Sequence, residues 1–87
     1  MSKKMKLIKS IPNALEDGEI NEIEIRDEDT YTASDFYDIE IPTDGKLKMG
    51  MYAPGIANIT GLTESQVASL HFKDYAQLAE TVGKYIL

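Results

Sequence analysis

The residues that could carry chemistry in this 87-residue chain are few and poorly placed for it. His71 is the only histidine and lies between Leu70 and Phe72, so we predict that it caps or packs a helix junction. There is no cysteine, which excludes disulfides and thiolate chemistry. The acidic run from Asp27 to Asp29 lacks the spacing of a calcium-binding loop, and the glycines do not form a phosphate-binding motif. We therefore predict that the protein is not an enzyme and that it uses no cofactor or metal ion.

The charges are distributed unevenly along the chain. Residues 1–15 carry four lysines and no acid, residues 16–44 carry twelve acids and one arginine, and residues 45–87 carry four lysines and three acids. Because an acidic middle segment repels phosphate, nucleic-acid binding is not predicted. The segment fits either a solvated surface that keeps an apolar protein soluble or a surface that attracts a basic partner or mimics nucleic acid.

No segment of the sequence has the length and apolarity of a membrane span or a signal peptide. Residues 1–10 contain lysines without an apolar run, and no stretch approaches the roughly 18 apolar residues that a span needs. We predict no membrane association and expect the protein in the cytoplasm where it is made. We expect a chain of this length to form one small domain that is marginally stable unless a partner or self-association adds burial.

The elements that position these residues begin with a predicted hairpin in the first third of the chain. The pair Asp17 and Gly18 is a strong hairpin-turn signal. Ile23 and Ile25 alternate with charged residues, as in a half-buried strand, whereas Ile20 is out of phase and indicates a bulge or a strand start. The isoleucines of such a hairpin need a cover, because a lone hairpin is marginally stable in water.

The last third of the sequence carries the clearest helix signals. Thr63 and Gln66 have the form of a capping box, which predicts a helix that begins at Glu64. A second helix is predicted from Phe72, with Asp74 in its first turn, where a carboxylate is favoured by the helix dipole. Its apolar face repeats at helical spacing and consists of Tyr75, Leu78, Ala79, Val82, Tyr85 and Ile86.

A short helical turn is predicted near the middle of the chain. Thr32 and Asp35 have the T-x-x-D form of a cap. The alternation that follows in residues 36–41 fits both a helix and an extended segment, and Pro42 ends either one. We favour a short helix followed by an extended connection.

A further helix is expected between the acidic segment and the C-terminal helices. Thr43 or Asp44 can cap it, and Gly61 is a natural stop at its end. Because Pro54 costs about 3 kcal/mol inside a helix, we expect a kink or break within residues 51–53.

These elements predict the α+β fold class and a single domain that spans residues 1–87. Residues 1–5 are expected to be flexible and residues 6–26 to form the N-terminal β-hairpin. Residues 32–87 are expected to be mainly helical, with three to four α-helices.

Four segments of the sequence form a pattern that covers nearly the whole chain, from about residue 8 to residue 87. They are EINEIEIR at 19–26, TASDF at 32–36, KLKMGMYAPGIANITGLT at 46–63 and LTESQVASLHFKDYAQLAETVGKYI at 62–86. Together they resemble the tail assembly chaperones of Mu-like and P2-like contractile-tailed phages. The sequence departs from that family at Ser34, where glycine is usual, and at Gly50, Pro54 and Gly55, where the family has an uninterrupted helix.

The resemblance implies a function. A chaperone of this family would bind helical segments of the tape measure protein, a long helix-rich polypeptide, and keep it soluble until the tail tube polymerises around it. The tail tube protein is a further candidate partner. Such a chaperone would act in the host cytoplasm and be absent from the mature virion. Two other hypotheses stay open: a small acidic regulator that mimics nucleic acid, and a minor structural subunit of the virion.

Apolar side chains on the helices are the candidate partner-binding residues. Methionine adapts to irregular apolar ligands, and partner helices bind in apolar grooves through anchors at helical spacing. The same residues also fit a core, since a domain this small needs most of its apolar residues inside. The candidate site residues are Met49, Met51, Tyr52, Ile56, Leu78, Val82 and Tyr85.

Overall fold

The computed structural model describes residues 3–13, 17–39 and 49–85. Within these ranges an antiparallel sheet of two strands is followed by three α-helices. The strands are β1 (Lys3–Pro12) and β2 (Glu19–Ile25), and the helices are α1 (Ala53–Thr60), α2 (Glu64–Ala68) and α3 (Phe72–Gly83). Short 3-10 helices span Glu28–Thr30, Ala33–Phe36 and Met49–Tyr52. The predicted small α+β fold is confirmed.

The core lies between the inner face of the hairpin and the three helices. Both strands and all three α-helices contribute buried side chains to it, and α1 packs against α2, α3 and β2. The largest side chains with almost no exposed surface are Ile11, Ile56, Ile59, Val67, Leu78 and Val82. The helices therefore provide the cover that the isoleucines of the hairpin need.

β1 begins earlier than the sequence predicted. Residues 3–5 were expected to be flexible, but they form the first part of the strand. Met5 lies opposite Ile23 in the sheet, and both side chains are buried in the core. The burial of Met5 explains why pairing extends to this end of the strand.

The outer face of the hairpin brings opposite charges together. Lys4 lies opposite Glu24 and Lys6 lies opposite Glu22, and all four residues are exposed. Oppositely charged residues at directly paired positions stabilise a sheet by roughly 0.2–1 kcal/mol per pair. In this part of the acidic segment the lysines of β1 offset the acids, so the hairpin does not present the continuous acidic face that a nucleic-acid mimic needs.

A bulge in β1 connects the hairpin to α3. Residues 7–10 of β1 lie opposite Asn21 alone. The bulge that the out-of-phase Ile20 indicated is therefore present, but the extra residues are in β1 and not in β2. The Ile8 N–H in the bulge donates to Oδ2 of Asp74 at 2.8 Å. Asp74 is only 2% exposed, so its carboxylate supplies the acceptor that the sheet does not provide there.

Local capping signals place the helices where the sequence predicted them. Thr63 Oγ1 accepts from the Gln66 N–H at 3.1 Å, and Gln66 Oε1 accepts from the Thr63 N–H at 2.9 Å. His71 caps α3, because its Nδ1 accepts from the Lys73 N–H at 3.1 Å. Gly61 ends α1 in the left-handed conformation, with φ of 74°.

α1 begins at the predicted break. The 3-10 helix Met49–Tyr52 gives way to α-helix at Ala53, and Pro54 occupies the first turn, where its missing N–H costs no helical hydrogen bond. The cap predicted at Thr43 or Asp44 lies outside the described residues.

The turn predicted at Thr32 forms as the 3-10 helix Ala33–Phe36. Oδ2 of Asp35 accepts from the Thr32 N–H at 2.8 Å, as the T-x-x-D pattern indicates. The Ile39 N–H then donates to the Phe36 carbonyl at 3.2 Å, so the chain continues to turn as far as Ile39. The rest of the segment whose conformation the sequence left open lies outside the described ranges.

Gln66 does more than complete the α2 cap. Its Nε2 donates to the Pro12 carbonyl at 2.9 Å, which joins α2 to the end of β1. The Gln66 side chain is nearly buried, with 7% of its surface exposed. Gln66→Ala is expected to lower the free energy of unfolding by about 1–2 kcal/mol, because it removes two partly buried hydrogen bonds, one with the Thr63 N–H and one with the Pro12 carbonyl.

Two related variants separate the two roles of Gln66. Thr63→Ala removes only the cap and is expected to cost about 1 kcal/mol. Gln66→Glu keeps an acceptor for the Thr63 N–H, but its ionised carboxylate cannot donate to Pro12. Urea unfolding of the three variants measures these contributions. A Gln66→Glu protein as stable as the wild type would mean that the bond to Pro12 does not stabilise the domain.

Arg26 connects the end of β2 to the segments that follow it. Its guanidinium donates to Asp35 Oδ1 at 3.0 Å, to the Thr30 carbonyl at 2.6 Å and to the Asn58 carbonyl at 3.2 Å. Its backbone N–H donates to the Ile59 carbonyl at 2.9 Å. We call these five residues the Arg26 network. It holds β2, two of the 3-10 helices and α1 in one arrangement.

Asp35→Asn is expected to destabilise the protein by up to about 1 kcal/mol at neutral pH and by less in acid. Hydrogen bonds from the Thr32 N–H and from Arg26 hold the pKa of Asp35 below its usual value. A carboxyl group with a depressed pKa in the folded protein adds stability above its unfolded pKa of about 3.9, and loses it as the pH falls through the lower folded pKa. Urea unfolding at a series of pH values should show a difference that is constant down to about pH 5 and then shrinks. A difference that persists at the acidic end would contradict this role of Asp35.

Candidate partner-binding site

Three of the predicted site residues belong to the core. Ile56, Leu78 and Val82 have no exposed surface. A partner cannot contact side chains that the domain itself covers, so their assignment to a partner site is corrected. Helical spacing placed them in the apolar rows of α1 and α3 but did not distinguish a row that faces the core from one that faces a partner.

Tyr85 is engaged in an aromatic cluster within the domain. Its ring stacks on Phe36 at 5.8 Å and meets the Tyr31 ring edge-on at 5.3 Å. Desolvation in this cluster raises the pKa of Tyr85, and the neighbouring Glu28 carboxylate raises it further. Although 42% of Tyr85 is exposed, the residue mainly attaches the end of α3 to the segment around Tyr31.

The remaining candidates lie on the 3-10 helix Met49–Tyr52, which runs beside α3. Met51 is half-buried against the core, and Tyr52 is half-buried at the edge of a surface groove. The side chain of Met49 lies outside the described part of the structure. Burial raises the pKa of Tyr75 on α3, and a hydrogen bond with the Tyr52 backbone partly offsets that effect.

Two shallow, mainly apolar clefts lie along α3 on the side of this 3-10 helix. The first, near the beginning of α3, has a volume of about 340 Å³ and is lined by Gly50, Val67, Ala68, Leu70, Phe72 and Tyr75. The second has a volume of about 510 Å³ and is lined by Tyr52, Ala76, Ala79, Glu80, Gly83 and Lys84. We call the two clefts together the α3 groove. Of the predicted site residues, Tyr52 lines it.

The spacing of residues along α3 explains the shape of the groove. Phe72, Ala76, Ala79 and Gly83 recur at i, i+4, i+7 and i+11, which places them on one face of the helix beside the core-facing row. The small residues give the groove its depth, whereas Phe72 protrudes at one end with 66% of its surface exposed. The apolar face predicted for α3 included Tyr75 and Ala79, which line the groove, but not Phe72, Ala76 or Gly83. The signal for the groove was this second apolar row.

The chemistry of the α3 groove suits an apolar ligand. Its lining consists mainly of alanine, glycine, aliphatic and aromatic residues, and its charged residues are Glu80 and Lys84, both of them exposed. Among the described residues no group of three or more histidine, cysteine or acidic side chains could hold a metal ion. The groove can therefore hold an apolar side of a partner, and nothing in its lining points to a reaction.

A second, more polar cleft of about 300 Å³ lies beside Arg26. Its basic residues are Lys3, Arg26 and Lys84, and its acidic residues are Asp27, Glu28 and Asp29. Asp27 caps the 3-10 helix Glu28–Thr30 by accepting from the Asp29 N–H at 3.1 Å. Because basic and acidic side chains are mixed in this cleft, it does not favour the binding of an anion or of a cation. Within the run from Asp27 to Asp29, the structure shows a capping role for Asp27.

Comparison with protein families, with curated proteins and with solved structures found no match. The resemblance to tail assembly chaperones therefore remains a hypothesis that depends on the sequence motifs given above. No helix in the described ranges combines the length and the apolar character needed to cross a membrane.

Proposed function

We propose that this protein is a non-enzymatic tail assembly chaperone that binds apolar helical segments of a tape measure protein in the α3 groove and keeps that protein soluble until the tail tube forms. The single observation that supports the mode of binding is the α3 groove itself, an open apolar surface beside a helix of 12 residues. Such a helix is about 18 Å long and offers about three turns of contact to a partner helix. The sequence resemblance supplies the identity of the partner.

The dimensions of the groove fit a temporary interaction. Helix-in-groove recognition uses apolar anchors at i, i+3, i+4 and i+7, which span about two turns and so fit within the roughly three turns of α3. A contact of this length buries less than the roughly 1,200 Å² of a stable protein interface. A chaperone has to release its client when the tail tube polymerises, so weak and repeated binding along a long helical client suits this function.

Co-expression with the tape measure protein tests the proposal. Ala76 is exposed and lines the groove, so Ala76→Glu places a charge where an apolar client would bind, and desolvating that charge is costly. We expect Ala76→Glu to reduce the soluble fraction of the tape measure protein to the level seen without the chaperone. Gln77→Glu adds the same charge at the neighbouring exposed position, which does not line the groove, and should leave the soluble fraction unchanged.

Circular dichroism of both variants checks that α3 is intact. If Ala76→Glu is folded and still keeps the tape measure protein soluble, the α3 groove is not the binding site. If the wild-type protein does not keep the tape measure protein soluble, the chaperone function itself is wrong. Mass spectrometry of purified virions should not detect this chain. Its detection there would instead favour a minor structural subunit of the virion.

A further inference from the structure

We propose that the α3 groove also joins two copies of this chain, in an antiparallel dimer formed by α3 of each copy. The dimer uses the surface to which the proposed function assigns the client, and it covers that surface when no client is present. Its existence is measured without any client. The dimer and the chaperone function can therefore fail independently of each other.

The α3 groove carries both a protruding side chain and a cleft that can receive it. Phe72 protrudes at the beginning of α3, and the cleft between Tyr52, Ala79 and Gly83 lies at the other end. Phe72 and Gly83 are 11 positions apart, which is about 16 Å along the helix. In an antiparallel pair each Phe72 reaches the cleft of the other copy. A surface that is complementary to itself in this way is what a two-fold symmetric interface requires.

The residues between these two ends fit the same arrangement. When Phe72 lies opposite Ala79 and Gly83 of the second copy, Ala76 of both copies lies at the two-fold axis, where its small side chain permits close approach of the helices. Lys73 then faces Glu80 of the second copy. Both residues are exposed, and the symmetry produces two such pairs of opposite charge. Shape and charge therefore select the same register.

The dimer should be weak. Two helices in contact over about 18 Å bury less than the roughly 1,200 Å² of a stable interface, so we expect a dissociation constant in the range of about 10 µM to 1 mM. Weak association leaves the groove open to a client helix that is present at a high local concentration. The dimer thus covers the groove when no client is present, and a client helix can displace one copy from it.

Charge reversal at the two positions tests both the dimer and its register. Lys73→Glu and Glu80→Lys each bring like charges together at both ends of the interface, so each variant alone should dimerise at least about tenfold more weakly than the wild type. In an equimolar mixture of the two variants, opposite charges meet again at both ends. Sedimentation equilibrium should therefore show that the mixture recovers the association of the wild-type protein.

The two replacements suit the helix, so loss of the dimer does not come from unfolding. An acid in the first turn of α3 and a base near its end are favoured by the helix dipole. Unfolding curves of both variants should match or exceed that of the wild type. The proposal is overturned if the wild-type protein is monomeric at about 1 mM, if both single variants dimerise as well as it does, or if the mixture associates no better than the variants alone.

Discussion

Gly55→Ala is expected to destabilise the domain by about 1–3 kcal/mol, although alanine is the better helix former. Gly55 lies in α1, where three parts of the chain meet. A Cβ atom at this position would lie 2.6 Å from Ile39 Cδ1, 3.0 Å from Val82 Cγ1 and 3.3 Å from Phe36 Cδ1. Ile39 and Val82 are themselves buried, so neither can move aside without disturbing the core. The gain of up to about 1 kcal/mol in helix propensity does not offset this crowding.

Gly83→Ala is the matched control for this prediction. Gly83 is also helical, but a Cβ atom there would meet nothing closer than Tyr52 Cε1 at 3.9 Å, an ordinary contact distance. We expect Gly83→Ala to be neutral or to stabilise the protein by a few tenths of a kcal/mol. Guanidinium unfolding of both variants measures the difference. Equal midpoints for the two would mean that the core around Gly55 has room for a methyl group.

Arg26→Ala is expected to lower the free energy of unfolding by about 1.5–2 kcal/mol. The replacement removes the guanidinium that donates to Asp35, to Thr30 and to Asn58, and hydrogen bonds that involve a charged group contribute about 1.5–3 kcal/mol when they are shielded from water. The Arg26 side chain is 39% exposed, so water weakens its hydrogen bonds. We therefore expect the loss of all three bonds together to cost an amount in the lower part of that range.

Arg26→Lys tests whether charge or geometry matters in the Arg26 network. An ammonium group keeps the charge but cannot span acceptors on different segments as the planar guanidinium does. We expect Arg26→Lys to recover less than half of the loss caused by Arg26→Ala. A double-mutant cycle with Asp35→Ala then isolates the ion pair from the two carbonyl contacts. A lysine variant as stable as the wild type would show that the positive charge alone is sufficient.

The parts of the fold that the sequence predicted well depend on residues close together in the chain. The capping box of Thr63 and Gln66 and the cap at Thr32 depend on residues three positions apart, and the stop at Gly61 depends on one backbone conformation. Pro54 likewise indicated the position of the break before α1. Signals of this kind act within one or two helical turns and are present in the sequence itself.

The features that the sequence did not predict depend on contacts between distant residues. The need for glycine at position 55 arises from Ile39 and Val82, which belong to other segments. Arg26 was visible only as the single base in an acidic stretch, and its partners Asn58 and Ile59 became apparent only when α1 was placed against β2. Local patterns contain no information about which segments pack together, so these contacts required the folded chain.

The candidate site was predicted only in part for a related reason. The sequence identified α3 and the segment around Tyr52 as apolar surfaces, and both border the groove. It did not predict which row of α3 the domain covers. Leu78 and Val82 face the core, which leaves the row with Phe72 and Ala76 open.

The hydrogen bond between Ile8 and Asp74 has a consequence for how the chain folds during synthesis. It connects positions that are 66 residues apart, so the ribosome has made most of the chain before the bulge in β1 can find its acceptor. Contacts of such high sequence separation close late and slow the folding reaction. Until α3 emerges, the apolar side of the nascent hairpin is covered only in part, by α1 and α2. A premature stop codon ahead of α3 would therefore yield an unfolded polypeptide, open to proteolysis, instead of a smaller folded domain.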